Sequence, residues 1–480
     1  MLQTVAANTM ISAAARLLGG VFALVTIGIV TRALGPGSFG EYSAILAFLY
    51  LFSIAADLGL YQYLLRESSR PGVDESAVFS LAFTLRIAAL TFILGTGIAA
   101  AFLFVPVSSA ARLGIPLAAA AFWLQSLVQL GMPPFQKRLV VYWTAVAEVA
   151  ARILQLALSA AVAYVSGSVV LFLGVLATSS LLQFLVQFAV LRRYLAFRLS
   201  FSFGAARHIV QESLSIAAGL LFTLIYFRLD TVMLSFFQPP EDVGIYNLSY
   251  KVLEYLIFFP AMFVGLVMPR LSREAVGENL AAFKKTLARL FDVVVFAAAP
   301  VLLGGLFLAP LIVEALGGSA FAAAAVPLRI LLFATALIFL GTVFGSATIA
   351  LGQQRKAMWV YAGGMVCNFL LNLIFIPRFS YVAAAASTVV TELFVTGGLL
   401  VLVLASAGGH IRLTSVLHAF LAAGIMALPF FSLRYSSAVL GTLALLPYLV
   451  VCPLIYVVAL KLMRAIKPEH IALLRGKPGT

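Results

Sequence analysis

Six basic side chains fall inside long apolar segments of the sequence, where a charge must find water, an acid or an anionic ligand. They are Arg16, Arg86, Arg152, Arg228, Lys251 and Arg329. A charged side chain at bilayer depth costs at least about 2.5 to 3.5 kcal/mol, so it normally faces protein interior or water. Arginine also presents a planar fork of N–H donors that matches phosphate oxygens. We therefore predict that these six side chains line a cationic cavity that binds a phosphate-bearing group.

Five acidic side chains lie at similar depth, and two roles are open for them. They are Asp57, Glu148, Asp230, Glu254 and Glu392. A carboxylate inside a membrane protein is a candidate to carry a proton or to hold a sodium ion, which would couple the protein to an H⁺ or Na⁺ gradient. Alternatively, an acid neutralises a basic residue on the same helix face, as the spacings Glu148 to Arg152 and Lys251 to Glu254 allow. We predict no other cofactor and no metal site.

The elements that must position these groups are membrane-spanning helices. Of the 480 residues, 63% are hydrophobic and 10% are charged, and the mean hydropathy is +1.11, which excludes a soluble protein. One crossing needs roughly 20 apolar residues, so the chain accommodates about 14 crossings with their turns. We predict an all-α polytopic fold with spans at 10–33, 40–60, 77–105, 115–135, 140–165, 168–191, 211–236, 243–268, 290–314, 325–350, 357–377, 380–405, 415–433 and 438–461.

The basic residues between these spans predict the orientation. The chain has 31 Lys and Arg against 17 Asp and Glu, a formal charge of +14. If the N-terminus is cytoplasmic, 21 of the basic residues fall in cytoplasmic segments and four in the opposite loops, as the positive-inside rule requires. An even number of spans then places both termini in the cytoplasm. The basic segments lack the length and aromatic interleaving of a nucleic-acid surface, so we predict no nucleic-acid partner.

A short motif occurs twice in the sequence. Phe39–Tyr42 opens the second predicted span and Val243–Tyr246 opens the eighth, 204 residues later. Both spans also contain Gly-Leu, as Gly59–Leu60 and Gly265–Leu266. Six spans separate the copies, so two halves with the same membrane orientation are predicted. The alternative is that Gly and Tyr recur by chance near a membrane interface.

Several segments together resemble a known family. Thr31–Tyr42 resembles the "tR-LGp--fG-Y" turn that follows the first span of Wzx-type polysaccharide flippases. Arg228–Leu234, Val243–Tyr246 and Pro269–Ser272 resemble the "riD-vml... vG-Y... P-ls" stretch of the same family.

A third match to that family is looser. Asn368, Asn372 and Pro377 resemble "N---N-liP". The family usually has glycine at the turn into span twelve, whereas Phe379–Ala384 contains none.

This resemblance implies the MATE-like fold of the multidrug, oligosaccharidyl-lipid and polysaccharide exporter superfamily. It implies two pseudo-symmetric six-helix lobes at 1–205 and 206–408, with two additional helices and a cytoplasmic tail at 409–480. It also implies translocation of undecaprenyl-pyrophosphate-linked oligosaccharides across the bacterial plasma membrane by alternating access, for O-antigen, capsule or exopolysaccharide synthesis. The implied partners are this anionic lipid, the bilayer, and a polysaccharide polymerase with chain-length machinery.

Three alternatives remain open at this stage. A lipid II flippase has the same fold and a pyrophosphate cargo, and a MATE-type multidrug antiporter has the same fold with a cargo that is usually cationic. A membrane polysaccharide polymerase fits less well, because the predicted external connections are short. The sequence has no P-loop, Gly-x-Ser-x-Gly, Cys-x-x-Cys or His-Glu-x-x-His motif, so we predict a transporter and not an enzyme.

Overall fold

The computed structural model describes residues 2–57, 59–68, 70, 72–276, 279–408, 413–432 and 445–470. At 2–17, 205, 208, 212–221, 223–224, 413, 432 and 445–446 it describes the backbone only. Regular structure throughout these ranges is helical, which confirms the predicted all-α class. The chain forms two compact units, Met1–Gly244 and Ile245–Thr480, and each is described by itself. The lobe limits 1–205, 206–408 and 409–480 remain a prediction.

The first unit contains nine described helices and the start of a tenth. They are α1 (Leu2–Asp57), α2 (Leu60–Glu67), α3 (Glu75–Phe104), α4 (Ser109–Arg112), α5 (Ile115–Leu130), α6 (Met132–Lys137), α7 (Tyr142–Val165), α8 (Val169–Leu191), α9 (Phe203–Phe237) and α10 (Pro240–Leu256). Helix α1 packs against α3 and α7, and α8 packs against both α5 and α7. Asp74 caps α3 by accepting hydrogen bonds from the backbone N–H groups of Ser76 and Ala77.

The second unit contains the remaining helices. They are α11 (Phe258–Val276), α12 (Leu280–Gly317), α13 (Ala325–Ala350), α14 (Gln354–Ala407), α15 (Leu413–Ala427) and α16 (Leu445–Leu462), with 3₁₀ helices at Ser319–Ala324 and Leu428–Ser432. Helix α13 packs against α11, α12 and α14, and α15 packs against α12 and α16. Phe283, Leu290 and Val343 are fully buried in the core of this unit.

Ten helical segments of the described part are long and apolar enough to cross a membrane. This number does not test the predicted 14, because two predicted spans lie within α1 and two within α14. Helix α1 has 56 residues, about 84 Å at 1.5 Å per residue, which far exceeds the roughly 30 Å of a hydrocarbon core. Its path breaks at Gly35, where φ is 68°. Helix α14 breaks at Ser380, where φ is 49°, at the turn where glycine is usual in the family that the sequence resembles.

The two copies of the short motif meet inside the first unit. A Cβ built on Gly40 of α1 would lie 1.7 Å from the carbonyl oxygen of Pro240, and one built on Gly244 would lie 2.0 Å from the carbonyl oxygen of Pro36. The backbone of α1 therefore lies directly against the backbone of Pro240–Gly244, the first turn of α10, which only glycine permits at these two positions.

The end of the described chain folds back onto α12 in the second unit. The Arg289 guanidinium donates a 2.8 Å hydrogen bond to the Glu469 carboxylate, and Nε2 of His470 lies 3.3 Å from the Asp292 carboxylate. His470 and Asp292 are both buried. The segment that follows α16 is therefore held by side-chain contacts and does not simply trail from the helix.

Candidate functional site

A polar cavity of about 290 Å³ lies in the first unit among α5, α7 and α8. On each helix the residues that line it recur at intervals of three and four, so one face of each helix points inward. Five of them are glutamines: Gln125, Gln129, Gln155, Gln183 and Gln187. Thr144, Ser179 and Ser180 add hydroxyl groups, and Glu148 and Arg152 add one charge of each sign.

Small side chains leave the space between these helices. Ala145, Ala151 and Ser179 are buried on the faces that line the cavity. Arg152 lies ten residues after Tyr142, about 15 Å along the 24-residue helix α7 and near its midpoint. The cavity therefore extends from the end of the unit where α7 begins to the middle of that helix.

Glu148 and Arg152 share the cavity without neutralising each other. The Arg152 guanidinium donates a 3.0 Å hydrogen bond to Oε1 of Gln155, further along α7 and away from Glu148. The Glu148 carboxylate lies beside Gly19 of α1 and has neither an ion pair nor a hydrogen bond with the described residues. Both charged groups are half-buried, and a guanidinium and a carboxylate thus face the same void.

The amide groups are only partly satisfied by the protein. Nε2 of Gln125 donates to the Ser180 hydroxyl at 3.0 Å, and Nε2 of Gln187 donates to the backbone carbonyl of Val128 at 2.7 Å. Gln187 is 1% exposed, and its Oε1 has no hydrogen-bond partner in the described protein. Gln129 and Gln183 make no hydrogen bond to any described residue. The cavity therefore offers both donors and acceptors to a ligand.

Two of the predicted basic residues have acidic partners. Arg86 is 0% exposed, forms an ion pair with Asp57 and donates a 3.3 Å hydrogen bond to the carbonyl of Ala56. This pair ties α3 to the end of α1. On α10, Lys251 lies 2.6 Å from the Glu254 carboxylate. These contacts favour the neutralising role for both acids, and the cargo-binding role of the six basic residues remains a prediction.

The other predicted residues lie elsewhere in their own units. The Arg228 guanidinium lies 4.9 Å from the ring centre of Tyr50, a cation–π contact, and Nε of exposed Arg329 donates to the carbonyl of Leu306 at 3.1 Å. The side chain of Arg16 lies outside the described residues. Asp230 and Glu392 are buried, and each interacts with other groups of the protein.

The glutamines are the lining residues that the sequence analysis missed. Gln125 and Gln129 are four residues apart within a predicted span, and so are Gln183 and Gln187. Two amides at that spacing share one helix face, and an amide is costly in hydrocarbon without a partner. Pairs of glutamines four residues apart within an apolar span could therefore have predicted this polar cavity.

The fold is shared with solved membrane transporters. The lipid II flippase MurJ, in an inward closed conformation, matches with a TM-score of 0.76 and 14% identity over 95% of this chain and 98% of that chain. An inward-facing multidrug resistance MATE family transporter of the MOP superfamily matches with a TM-score of 0.62 and 12% identity over 80% of this chain and 95% of that one. The MATE multidrug transporter DinF-BH matches with a TM-score of 0.58 and 15% identity over 85% of this chain and 96% of that one.

These likenesses show the fold, and with the apolar helices they define a multi-pass membrane protein. A family model described as "Polysaccharide biosynthesis protein" matches residues 5–274, more than half of the chain, and the protein belongs to that family. The resemblance seen in the sequence is thereby confirmed at the level of family and fold. No curated protein matches the chain.

Proposed function

We propose that the protein is a flippase for undecaprenyl-pyrophosphate-linked oligosaccharides. It moves the repeat unit from the cytoplasmic to the outer leaflet of a bacterial plasma membrane, with both of its termini in the cytoplasm. The polar head group crosses through the protein with its diphosphate against Arg152 while the acyl chain stays in lipid, and access alternates between the two sides. A polysaccharide polymerase and chain-length machinery then use the flipped unit for O-antigen, capsule or exopolysaccharide.

The observation that carries the proposal is Arg152, at the middle of a membrane helix, which forms no ion pair with any acid that the structure describes. The Arg152 guanidinium has five N–H donors. Among the described residues it makes one hydrogen bond, to Gln155, and its other donors make none. Donors that remain at the cavity suit phosphate oxygens, and a low local dielectric strengthens such a pairing. Membership of the polysaccharide biosynthesis protein family supports a lipid-linked sugar as the carrier of that phosphate.

Glu148 is the acid that best fits a coupling role. Its carboxylate faces the same cavity and has no ion pair or hydrogen bond with the described side chains, whereas Asp57 and Glu254 pair with basic residues. Binding of a proton or of Na⁺ at Glu148 would change the charge of the cavity by one unit, in direct reach of the anionic cargo. An inward H⁺ or Na⁺ gradient should accelerate flipping by the wild type, and Glu148→Gln should flip at a rate that does not respond to the gradient.

Reconstitution into liposomes tests the proposed transport. The purified protein is incorporated with an undecaprenyl-pyrophosphate-linked oligosaccharide, and access of that lipid to an added, membrane-impermeant pyrophosphatase is followed over time. The wild type should expose the cargo of the inner leaflet, and Arg152→Gln should slow this by roughly 10- to 100-fold, since one charge-assisted contact contributes about 1.5 to 3 kcal/mol. Arg192→Gln, at an exposed arginine outside the cavity, should flip like the wild type.

Two results would contradict the proposal. One is a rate equal to that of protein-free liposomes for this cargo, particularly if lipid II is flipped in its place, which would favour the lipid II alternative. The other comes from cells: deletion of the gene should cause lipid-linked repeat units to accumulate on the cytoplasmic side, and unchanged amounts and sidedness would exclude a role in their export.

A further inference from the structure

Apart from Arg152, the lining of the cavity differs from that of a phosphate site. A phosphate group in its ionised form only accepts hydrogen bonds, so a phosphate site is made of N–H and O–H donors. Of the five amide oxygens in the lining, that of Gln155 accepts from Arg152, so four amide oxygens and the Glu148 carboxylate remain as acceptors beside one guanidinium. These acceptors, beside the N–H donors of the same amides, favour a ligand that donates hydrogen bonds as well as accepting them.

Sugar hydroxyl groups have this dual character. Each hydroxyl donates one hydrogen bond and accepts others, and each glutamine side chain offers the complementary N–H₂ and C=O pair. Gln125 and Gln129 stand four residues apart on α5, and Gln183 and Gln187 do so on α8, so each pair places two amides about 5 to 6 Å apart at their Cβ atoms. At that spacing, the pair on α5 and the pair on α8 can each contact hydroxyl groups of one pyranose ring.

Unsatisfied groups point to a ligand that is bound during the working cycle. Oε1 of Gln187 is buried and has no hydrogen-bond partner in the described protein, which costs free energy unless a donor arrives. Gln129 and Gln183 also make no hydrogen bond to described residues. One buried amide, Gln187, and two more accessible ones, half-buried Gln183 and exposed Gln129, are therefore left with unused bonding capacity at one void.

The volume limits the size of the ligand. About 290 Å³ corresponds to roughly ten waters at 30 Å³ each, near the lower end of small-molecule sites. It accommodates a single pyranose ring and not a whole oligosaccharide. Met132 and Leu176 supply apolar surface for the C–H face of such a ring.

We infer that the cavity among α5, α7 and α8 is a saccharide subsite that holds one sugar ring of the lipid-linked cargo through its glutamine side chains. The inference rests on the proposed function and refines it, because it assigns the glutamines to the sugar and leaves the diphosphate to Arg152. Recognition of one ring next to the diphosphate gives the protein a means to prefer glycosylated lipid over the bare carrier.

Direct binding measurements test this assignment. The full-length protein in lipid nanodiscs is titrated with undecaprenyl pyrophosphate and with its forms that carry a single glucose, galactose or N-acetylglucosamine. At least one glycosylated lipid should bind about tenfold more tightly than the bare carrier, the effect expected from one or two net hydrogen bonds. Gln129→Leu and Gln183→Leu should each remove most of this preference and leave the affinity for undecaprenyl pyrophosphate unchanged.

The control is Gln136→Leu, whose side chain bonds to the Tyr61 hydroxyl outside the cavity and whose loss should leave the preference intact. Monodispersity in size-exclusion chromatography verifies that each variant is folded. Equal affinity of the wild type for bare and glycosylated lipids would overturn the inference and leave the proposed function standing. Failure to bind undecaprenyl pyrophosphate and all three glycosylated forms would refute the proposed function, and the saccharide subsite with it.

Discussion

Replacement of Gly40 by alanine probes the crossing of α1 and α10. The new Cβ would lie 1.7 Å from the carbonyl oxygen of Pro240 and 2.6 Å from its carbonyl carbon. Non-bonded heavy atoms are comfortable at about 3.5 Å, so the Pro240 carbonyl would have to move by more than 1 Å. Because both sides of the contact are helix backbone, no change of side-chain rotamer can relieve the clash, and the helices must separate.

The expected cost follows from two opposing effects. Overpacking of a tight site costs about 1 to 3 kcal/mol, and a backbone obstacle places this case at the upper end. Alanine regains roughly 0.5 to 1 kcal/mol over glycine within a helix. The net loss is about 2 kcal/mol of the free energy of unfolding, or roughly a 30-fold change in the folding equilibrium.

Equilibrium unfolding by SDS in mixed micelles, followed by circular dichroism, measures this loss. Gly95→Ala is the matched control, because a Cβ at Gly95 would meet nothing within 4 Å and should stabilise slightly. Gly244→Ala should cost about as much as Gly40→Ala, since its Cβ would lie 2.0 Å from the Pro36 carbonyl oxygen. The double variant should cost less than the sum, because one separation of the helices relieves both clashes. A Gly40→Ala protein as stable as Gly95→Ala would refute the reasoning.

Three further perturbations have defined outcomes in the same unfolding assay. Ser380→Gly should stabilise by about 1 kcal/mol relative to Ser380→Ala, because only glycine adopts a φ of 49° without strain; equal stabilities would contradict this. Asp57→Asn should cost about 3 to 5 kcal/mol by leaving buried Arg86 without its acid, and adding Arg86→Met should restore most of it. The hydrogen bond from Arg289 lowers the pKa of Glu469, so this carboxylate stabilises the fold above its ordinary pKa and ceases to do so as the pH falls through the lowered value. The difference in the SDS midpoint of unfolding between wild type and Glu469→Gln should therefore be present at pH 7 and vanish on acidification.

The fold was largely predictable because a bilayer leaves few choices for an apolar chain. Long uncharged runs must form helices to satisfy their backbone groups, so the helical class and most span positions follow from composition. The breaks were harder to predict. The Leu-Gly-Pro-Gly sequence around Gly35 is typical of a turn and predicts the first break. Ser380 has no local feature that predicts a positive φ.

The site was only partly predictable. Charged residues within an apolar span are a strong signal of a functional site, whereas uncharged amides are a weak one. Spacing placed Glu148 and Arg152 on one face of α7, but it could not determine whether they pair. That outcome depends on Gln155, which accepts a hydrogen bond from Arg152, and on the space left by small residues of α8. The partner of Arg86 could not be predicted from spacing, because Asp57 lies on another helix.

The crossing of α1 and α10 has a consequence for the history of the chain. Pro36 and Gly40 have the same spacing as Pro240 and Gly244, and the proline carbonyl of each motif covers the glycine of the other. Reciprocal contact of this kind is the property of an isologous interface between identical subunits. A shorter ancestor with one Pro-x-x-x-Gly motif could make the same contact with a second copy of itself.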